Sequence, residues 1–373
     1  MSRSLHLISF DIPYPPVYGG IIDVFYKIKA LSQQGVCIKL HCFQYGKAQQ
    51  EELEKYCQTV HYYKRNSYFK SLISTDIPFI AKSRGNEDLI SKLKEDNDPI
   101  LFDGLHTTYI LQMADFSDRN MFMRAHNVEH KFYSGLAKSE SNIFKKNFYK
   151  QESKKLQKYE WIVSKMKNIF SISPLEQDYF LSKYGEKSVY VPAFHDDEIH
   201  TTHNNKGDFI LYHGNVMVSE NVNAATFLID VYKNTEFQLV IASSYFNDVI
   251  TKEILKYDNI SFHSLENSND LYRLFENSHI NVLPTFQNTG IKLKLLNTLY
   301  QGKFIIANDF MIDETGLESL CEKANTRLEF LEKTKNLYQK DFSKEIIDHR
   351  KEVLKKFSPA KSAKKIADII FSS

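Results

Sequence analysis

The feature that most constrains this chain is an alternation of short apolar segments with longer amphipathic ones, run through twice. Leu5 to Phe10, Val36 to Phe43, Pro99 to Phe102, Met121 to Met123, Asn168 to Ile172 and Ser188 to Val191 are runs of strand length. Between them apolar residues recur at helical spacing, as in Ile21 to Leu31 and in a long stretch from about Ser141 to Lys165. Strands separated by helices predict a parallel sheet covered on both faces. The pattern stops at 192–207, where Pro192 to Asp197 and Thr201 to Gly207 are polar and aperiodic and read as an interdomain linker. It resumes with strands at Asp208 to His213, Phe237 to Ala242, Ile260 to His263, Ile280 to Leu283 and Phe304 to Ala307, and Pro359 to Phe371 closes the chain as one amphipathic helix. Two α/β halves of similar size predict a cleft, with ligands at the carboxyl ends of the strands.

Composition narrows the function. A length of 373 residues suits two domains. With 42% hydrophobic and 25% charged residues, wholesale disorder is excluded. Lys+Arg 48 against Asp+Glu 46 leaves a net +2, so no global field marks a nucleic-acid binder. No apolar run approaches the ~18 residues needed to span a bilayer, and Met1 to Phe10 reads as a strand rather than a signal segment. Cys37, Cys42, Cys57 and Cys321 lack paired spacing, which argues against a disulfide framework or zinc knuckle and for a cytoplasmic protein.

Neither G-x-G-x-x-G after the first strand nor G-x-x-x-x-G-K-[ST] occurs, so dinucleotide oxidoreductases and P-loop enzymes are disfavoured. The first strand is followed instead by Asp11 to Gly20, a Pro-rich turn ending in paired glycines before a helix. Such glycines let backbone approach a ligand, and the helix start offers free N–H groups to an anion; the alternative is a turn with glycines for geometry alone. Arg124-Ala125-His126-Asn127-Val128-Glu129-His130 contains H-x-x-E-H, the zinc-peptidase pattern, in His126, Glu129 and His130. No motif places a third ligand, and the competing readings are a single working His126 at a strand end or a histidine pair capping a helix. In the second half, Leu283 to Asn297 passes from strand through a polar loop with Gly290 into a helix. Its backbone N–H groups, with Lys292 and Lys294, form a candidate receptor for a diphosphate without metal.

Taken in order, these pieces resemble a GT-B glycosyltransferase, similar to the retaining, nucleotide-sugar-dependent family 4. The elements are Val17-Tyr18-Gly19-Gly20, Arg124-x-His126-Asn127, Ile172 to Glu176, Tyr212-His213-Gly214-Asn215, and Gly290-Ile291-Lys292-Leu293-Lys294 before a helix ending near Gly302. The resemblance implies two Rossmann-like domains facing a central cleft. Residues 1–192, joined by a returning C-terminal helix 358–373, form the acceptor domain, and 193–357 the donor domain. It implies that His126 contacts the transferred sugar, and that Gly19 and Gly20 approach the donor phosphates or the acceptor. Gly214, Asn215, Thr289, Gly290, Ile291, Lys292 and Asn297 fall at donor-binding positions, and Lys294, with Lys292, meets the diphosphate. Two positions depart from the family pattern. Its paired glutamates are Thr289 and Asn297 here, and Glu220-Asn221 stands where a lysine is usual.

The implied activity is transfer of a sugar from a nucleotide-sugar to a saccharide or lipid-linked acceptor in surface-glycan synthesis, with no metal and no other cofactor. The alternatives are another nucleotide-sugar enzyme such as an epimerase, a non-catalytic sugar-nucleotide-binding module, or the zinc peptidase. Two segments are locally basic. Residues 61–70 hold three basic and four aromatic residues and no acid, and 138–167 hold nine lysines against three glutamates. Basic charge beside aromatic anchors suits an anionic membrane surface at the inner face, the reading favoured for 61–70, whereas a solvated helix with aromatic core contacts is the favoured alternative for 138–167.

Overall fold

The computed structural model describes residues 3–16, 19–44, 46–66, 76–140, 142–198, 206–266, 268–286 and 293–372. These divide into two compact units. The first runs to His195 and takes in the chain again from Phe357, and the second lies between, from Asp196 to Lys356.

The first unit is built on seven parallel strands: β1 (Ser4–Ser9), β2 (Cys37–Gln44), β3 (Thr59–Lys64), β4 (Ile100–Asp103), β5 (Met121–Ala125), β6 (Asn168–Ser171) and β7 (Ser188–Tyr190). Their order in the sheet is β3-β2-β1-β4-β5-β6-β7. The second unit has six strands, β8 (Phe209–His213), β9 (Leu239–Ser243), β10 (Ile260–Ser264), β11 (Ser278–Leu283), β12 (Phe304–Ala307) and β13 (Glu322–Lys323), in the order β10-β9-β8-β11-β12-β13. Both sheets grow outward from their first strand and reverse direction beside it, which is the Rossmann arrangement. The reversal leaves a crevice past the carboxyl ends of β1 and β4 in one unit, and of β8 and β11 in the other.

Strand alternation supplies both faces of each core. In β1, Leu5 and Leu7 pack on one side of the sheet with Val24, Ile28 and Leu31 of helix α1 (Gly19–Gln33). Ile8 faces the other side, toward Ile100, Phe102 and Met123. Each such side chain, taken fully out of water, contributes about 2 kcal/mol. Four further helices matter below: α2 (Glu129–Ser139), α3 (Ile143–Tyr159), α4 (Ser219–Tyr232) and α5 (Leu293–Gln301). The final helix, α6 (Pro359–Phe371), buries Ala363, Ile366, Ala367 and Ile370 in the core that α1 covers, so the C-terminus returns to the first unit.

Strand and helix positions follow the sequence pattern closely, with three differences. Thr59–Lys64, which takes in the first four residues of the 61–70 segment read as a membrane contact, is strand β3, paired along β2. Tyr63 is buried and its hydroxyl meets His41 Nδ1 at 2.9 Å, while Tyr62 is bonded to the backbone of Gln50. Those two aromatic rings therefore serve packing; Tyr68, Phe69 and Lys70 lie outside the described residues. The long helix expected over 141–165 ends at Tyr159 and continues as a 3-10 turn, Glu160–Lys165. The two-residue edge strand β13 is too short to have left an apolar run.

Candidate functional site

Each sheet's crevice carries one polar cluster. In the first unit, β4 ends at Asp103 and β5 at Ala125, placing His126 on the first residue past the strand. Helix α1 adds Asp23 and Lys27, one turn apart, and β5 adds Arg124. All five side chains are buried. Lys27 Nζ lies 2.6 Å from Asp103 Oδ2 and 3.3 Å from Asp23 Oδ2. Arg124 makes two bonds to Asp23, at 2.7 and 3.1 Å, and donates to the carbonyls of Val191 and Pro192. His126 Nε2 meets Asp103 Oδ1 at 2.5 Å. Burial by itself would raise both carboxyls, but Arg124 and Lys27 hold Asp23 below the usual carboxylate range, and Lys27 and His126 do the same for Asp103.

The His126–Asp103 bond fixes the ring and leaves Nδ1 without a hydrogen-bond partner among the described residues. Phe10 covers this edge, its ring 5.6 Å from His126 and 5.4 Å from His106. Gly20 makes room for Phe10, since a Cβ there would stand 2.8 Å from the tip of the ring. Gly19 is the first residue of α1, and Val17 and Tyr18 lie outside the described residues. Glu129, whose Oε1 lies 3.9 Å from His106 Nδ1, is buried at the start of α2, and burial pushes its carboxyl up to about 8 against a hydrogen bond from Asn127. The neighbouring His106 is held well below its ordinary value, first by burial and then by Arg84.

The zinc-peptidase pattern does not assemble. His126 is committed to Asp103, whereas His130 Nδ1 bonds Glu160 at 3.1 Å. Among the described residues, groups able to share an ion are Asp23–Asp103–His126 and His6–Asp96–Asp98. In each the carboxylates already hold protein cations, Lys27 and Arg124 in the first and Lys39 in the second.

In the second unit, β8 ends at His213, and Gly214 and Asn215 follow. Lys294, in the first turn of α5, brings its ammonium 3.0 Å from Asn221 Oδ1 on α4 and 4.8 Å from the centre of the Tyr212 ring. A Cβ on Gly214 would lie 2.8 Å from that ammonium. Burial lowers Lys294 to about 8, with Glu220 pulling the other way. Glu220 itself accepts from the Thr285 hydroxyl just past β11. His213 is driven to about 3 by burial and by Lys294, and its Nε2 sits 3.1 Å from Thr298 Oγ1. Asn215 has a turn-forming role: its side chain accepts from Met217 N, and its carbonyl accepts from Asn221. Asn297 is half-buried on α5, three residues after Lys294. Thr289, Gly290, Ile291 and Lys292 lie outside the described residues.

Sequence reasoning missed Asp23, Lys27 and Asp103. An Asp and Lys four apart on a helix read as a solvated pair; the available signal was their position on the otherwise apolar face of α1.

Known proteins match this chain mainly in shape. No protein-family profile matches it. An uncharacterized 44.6 kDa protein in the cps region of Klebsiella pneumoniae is 24% identical over 335 residues, covering 83% of this chain and 84% of that protein. Among solved structures, TarM superposes with a TM-score of 0.72 at 10% identity, over 100% of this chain and 99% of that one. The fold is GT-B. A glycosyltransferase from Rickettsia africae gives 0.65 at 13% identity, over 100% and 99%. The catalytic domain of starch synthase IV from Arabidopsis thaliana, bound to ADP and acarbose, gives 0.58 at 10% identity, over 99% of each chain.

Proposed function

We propose that this protein is a glycosyltransferase that takes its sugar from a nucleoside-diphosphate donor. The observation that carries this reading is Lys294, an ammonium held at the crevice of the second sheet by a neutral amide and a ring, beside a glycine that keeps the space open. Among the described residues its hydrogen-bond partner is a neutral amide and Glu220 acts on it only through its field, which leaves the ammonium poised for an anion. In such a reaction the glycosidic bond to the diphosphate breaks through an oxocarbenium-like state, and charge grows on the leaving oxygen. One well-placed donor aimed there contributes about 3 kcal/mol. The first helical turn of α5 adds the positive end of its dipole. His126, oriented by Asp103, offers Nδ1 to a hydroxyl of the transferred sugar, and the buried ion lattice around it keeps the ring from turning.

The finer reading is a retaining enzyme, independent of metal, in which the second unit holds the donor and the first the acceptor. An acceptor that is a surface saccharide or its lipid-linked precursor is supported by the cps-region relative. The separation of His126 from His130 by their different carboxylates argues against the peptidase.

The test is a panel of UDP-, GDP-, ADP- and CMP-sugars screened by thermal shift, followed by transfer assays with the donor that stabilises. Binding of one donor, release of its nucleotide only with a saccharide acceptor, and persistence in EDTA are expected. A donor interconverted with no acceptor present overturns the reading in favour of an epimerase. Binding without turnover across an acceptor panel overturns it in favour of a binding module.

A further inference from the structure

We propose that the outward face of helix α3 is a docking surface for an anionic lipid bilayer. Ile143–Tyr159 contains six lysines and a single acid, Glu152. Glu152 is buried, accepting from the Phe79 backbone at 2.6 Å and pairing with Lys155, so it subtracts nothing from the exposed field. Glu152, Leu156 and Tyr159 form the inward side of the helix. Ile143, Lys150, Lys154 and Lys158 recur at helical spacing on the opposite side, all exposed.

Both ends of this stripe carry exposed apolar side chains. Ile143 and Phe144 are 65% and 82% exposed at the start of α3, and Trp161 is 50% exposed just beyond its end. Seventeen residues at 1.5 Å each make a bar about 25 Å long, apolar at each tip and cationic between. Ile143 and Phe144 stand together as an exposed apolar pair at the head of the lysine stripe, rather than as a lone surface residue. A membrane surface answers both features, since acidic headgroups take the ammonium groups while the rings settle at the headgroup level. Lys165 lies 5.5 Å over the Trp161 ring and extends the charge past the end of the helix, where the field of Asp115 opposes it. This surface lies in the second basic segment, 138–167, rather than in 61–70, and it is independent of the glycosyl-transfer reading.

Trp161 is the chain's single tryptophan, so its emission reports this surface alone. The full chain is mixed with vesicles of phosphatidylcholine, with and without one quarter phosphatidylglycerol, at 50 and 500 mM NaCl. Flotation with the anionic vesicles at low salt, with a blue shift of Trp161 emission, is expected. Lys150→Glu with Lys154→Glu and Lys158→Glu should weaken it by about tenfold or more. Ile143→Ser with Phe144→Ser should abolish the part that survives high salt. These positions are exposed, and circular dichroism confirms that the variants fold. No flotation at 50 mM NaCl, equal binding to neutral vesicles, or flotation with unchanged Trp161 emission each overturns the proposal. So does a dimer in light scattering that the lysine reversals dissolve in the absence of vesicle binding.

Discussion

Asp103 joins Lys27 to His126: one carboxylate oxygen lies 2.6 Å from the Lys27 ammonium, the other 2.5 Å from the His126 ring. A single buried acid thus neutralises a buried lysine and aims the candidate catalytic imidazole. Stability and site geometry are coupled at this residue.

Asp103→Asn removes the nearer of the two carboxylates that Lys27 faces out of water, leaving Asp23 at 3.3 Å. Breaking a buried pair from one side costs about 3 kcal/mol. The expected result is a clear drop in urea midpoint together with loss of transfer. His126→Ala should lose transfer with a much smaller change in midpoint, which separates the two roles.

Lys294→Ala should lower kcat/KM by about a hundredfold while melting close to the parent, because its only described hydrogen-bond partner is a neutral amide. Near-parental turnover would remove Lys294 from the proposed role. The parent should also show a pH signature. Burial sets this ammonium near 8, so the donor meets a full positive charge at pH 7 and a largely neutral amine at pH 9. Measured across that interval, kcat/KM for the donor should fall as pH rises.

Gly214→Ala tests the same niche from the backbone. The added methyl would sit 2.8 Å from the Lys294 ammonium and 3.2 Å from Asn221. The ammonium is the far end of a flexible chain and can yield, so the fold should survive. Its displacement should raise the donor KM by about tenfold, an order-of-magnitude loss equal to one misplaced charge-assisted bond. Unchanged KM would show that the ammonium does not meet the donor there.

Acidification should weaken the fold. Burial holds His41 and His106 well below 6.5 and His213 at about 3, so these rings stay neutral when folded. As pH falls below 6.5 the unfolded chain takes up protons that the folded chain refuses, and stability drops. Two pH units below that point, one such histidine costs about 2.7 kcal/mol. Urea midpoints at pH 7.5, 6, 5 and 4.5 should decline, with a shallower slope for His213→Gln.

Much of the fold is legible in the sequence because parallel sheets bury both faces. Leu5 to Phe10 and Phe304 to Ala307 therefore stand out as uninterrupted apolar runs, and helix α6 announces itself by Pro359 and its periodic apolar face. Strand β3 was hidden because an edge strand with one wet side carries Lys64 and two tyrosines, the same residues an interfacial segment would carry. His126 and Lys294 were readable as residues at the ends of strands or the starts of helices. Their partners were not. Asn221 precedes Lys294 by 73 residues and Asp103 precedes His126 by 23, separations that no local pattern spans.

By itself the sequence determined two alternating α/β halves, the polar break between them and the amphipathic last helix, since hydrophobic periodicity is a local property that each segment carries alone; where that helix packs was decided by the tertiary structure. Only the tertiary structure decided that Asp23 and Lys27 are buried ions rather than a solvated pair. It also decided that His126 and His130 serve different carboxylates, and that Lys150, Lys154 and Lys158 of α3 face outward with no exposed acid on that helix. Those outcomes depend on strand order, which brings distant charges within a few ångströms and fixes which side of each helix meets water.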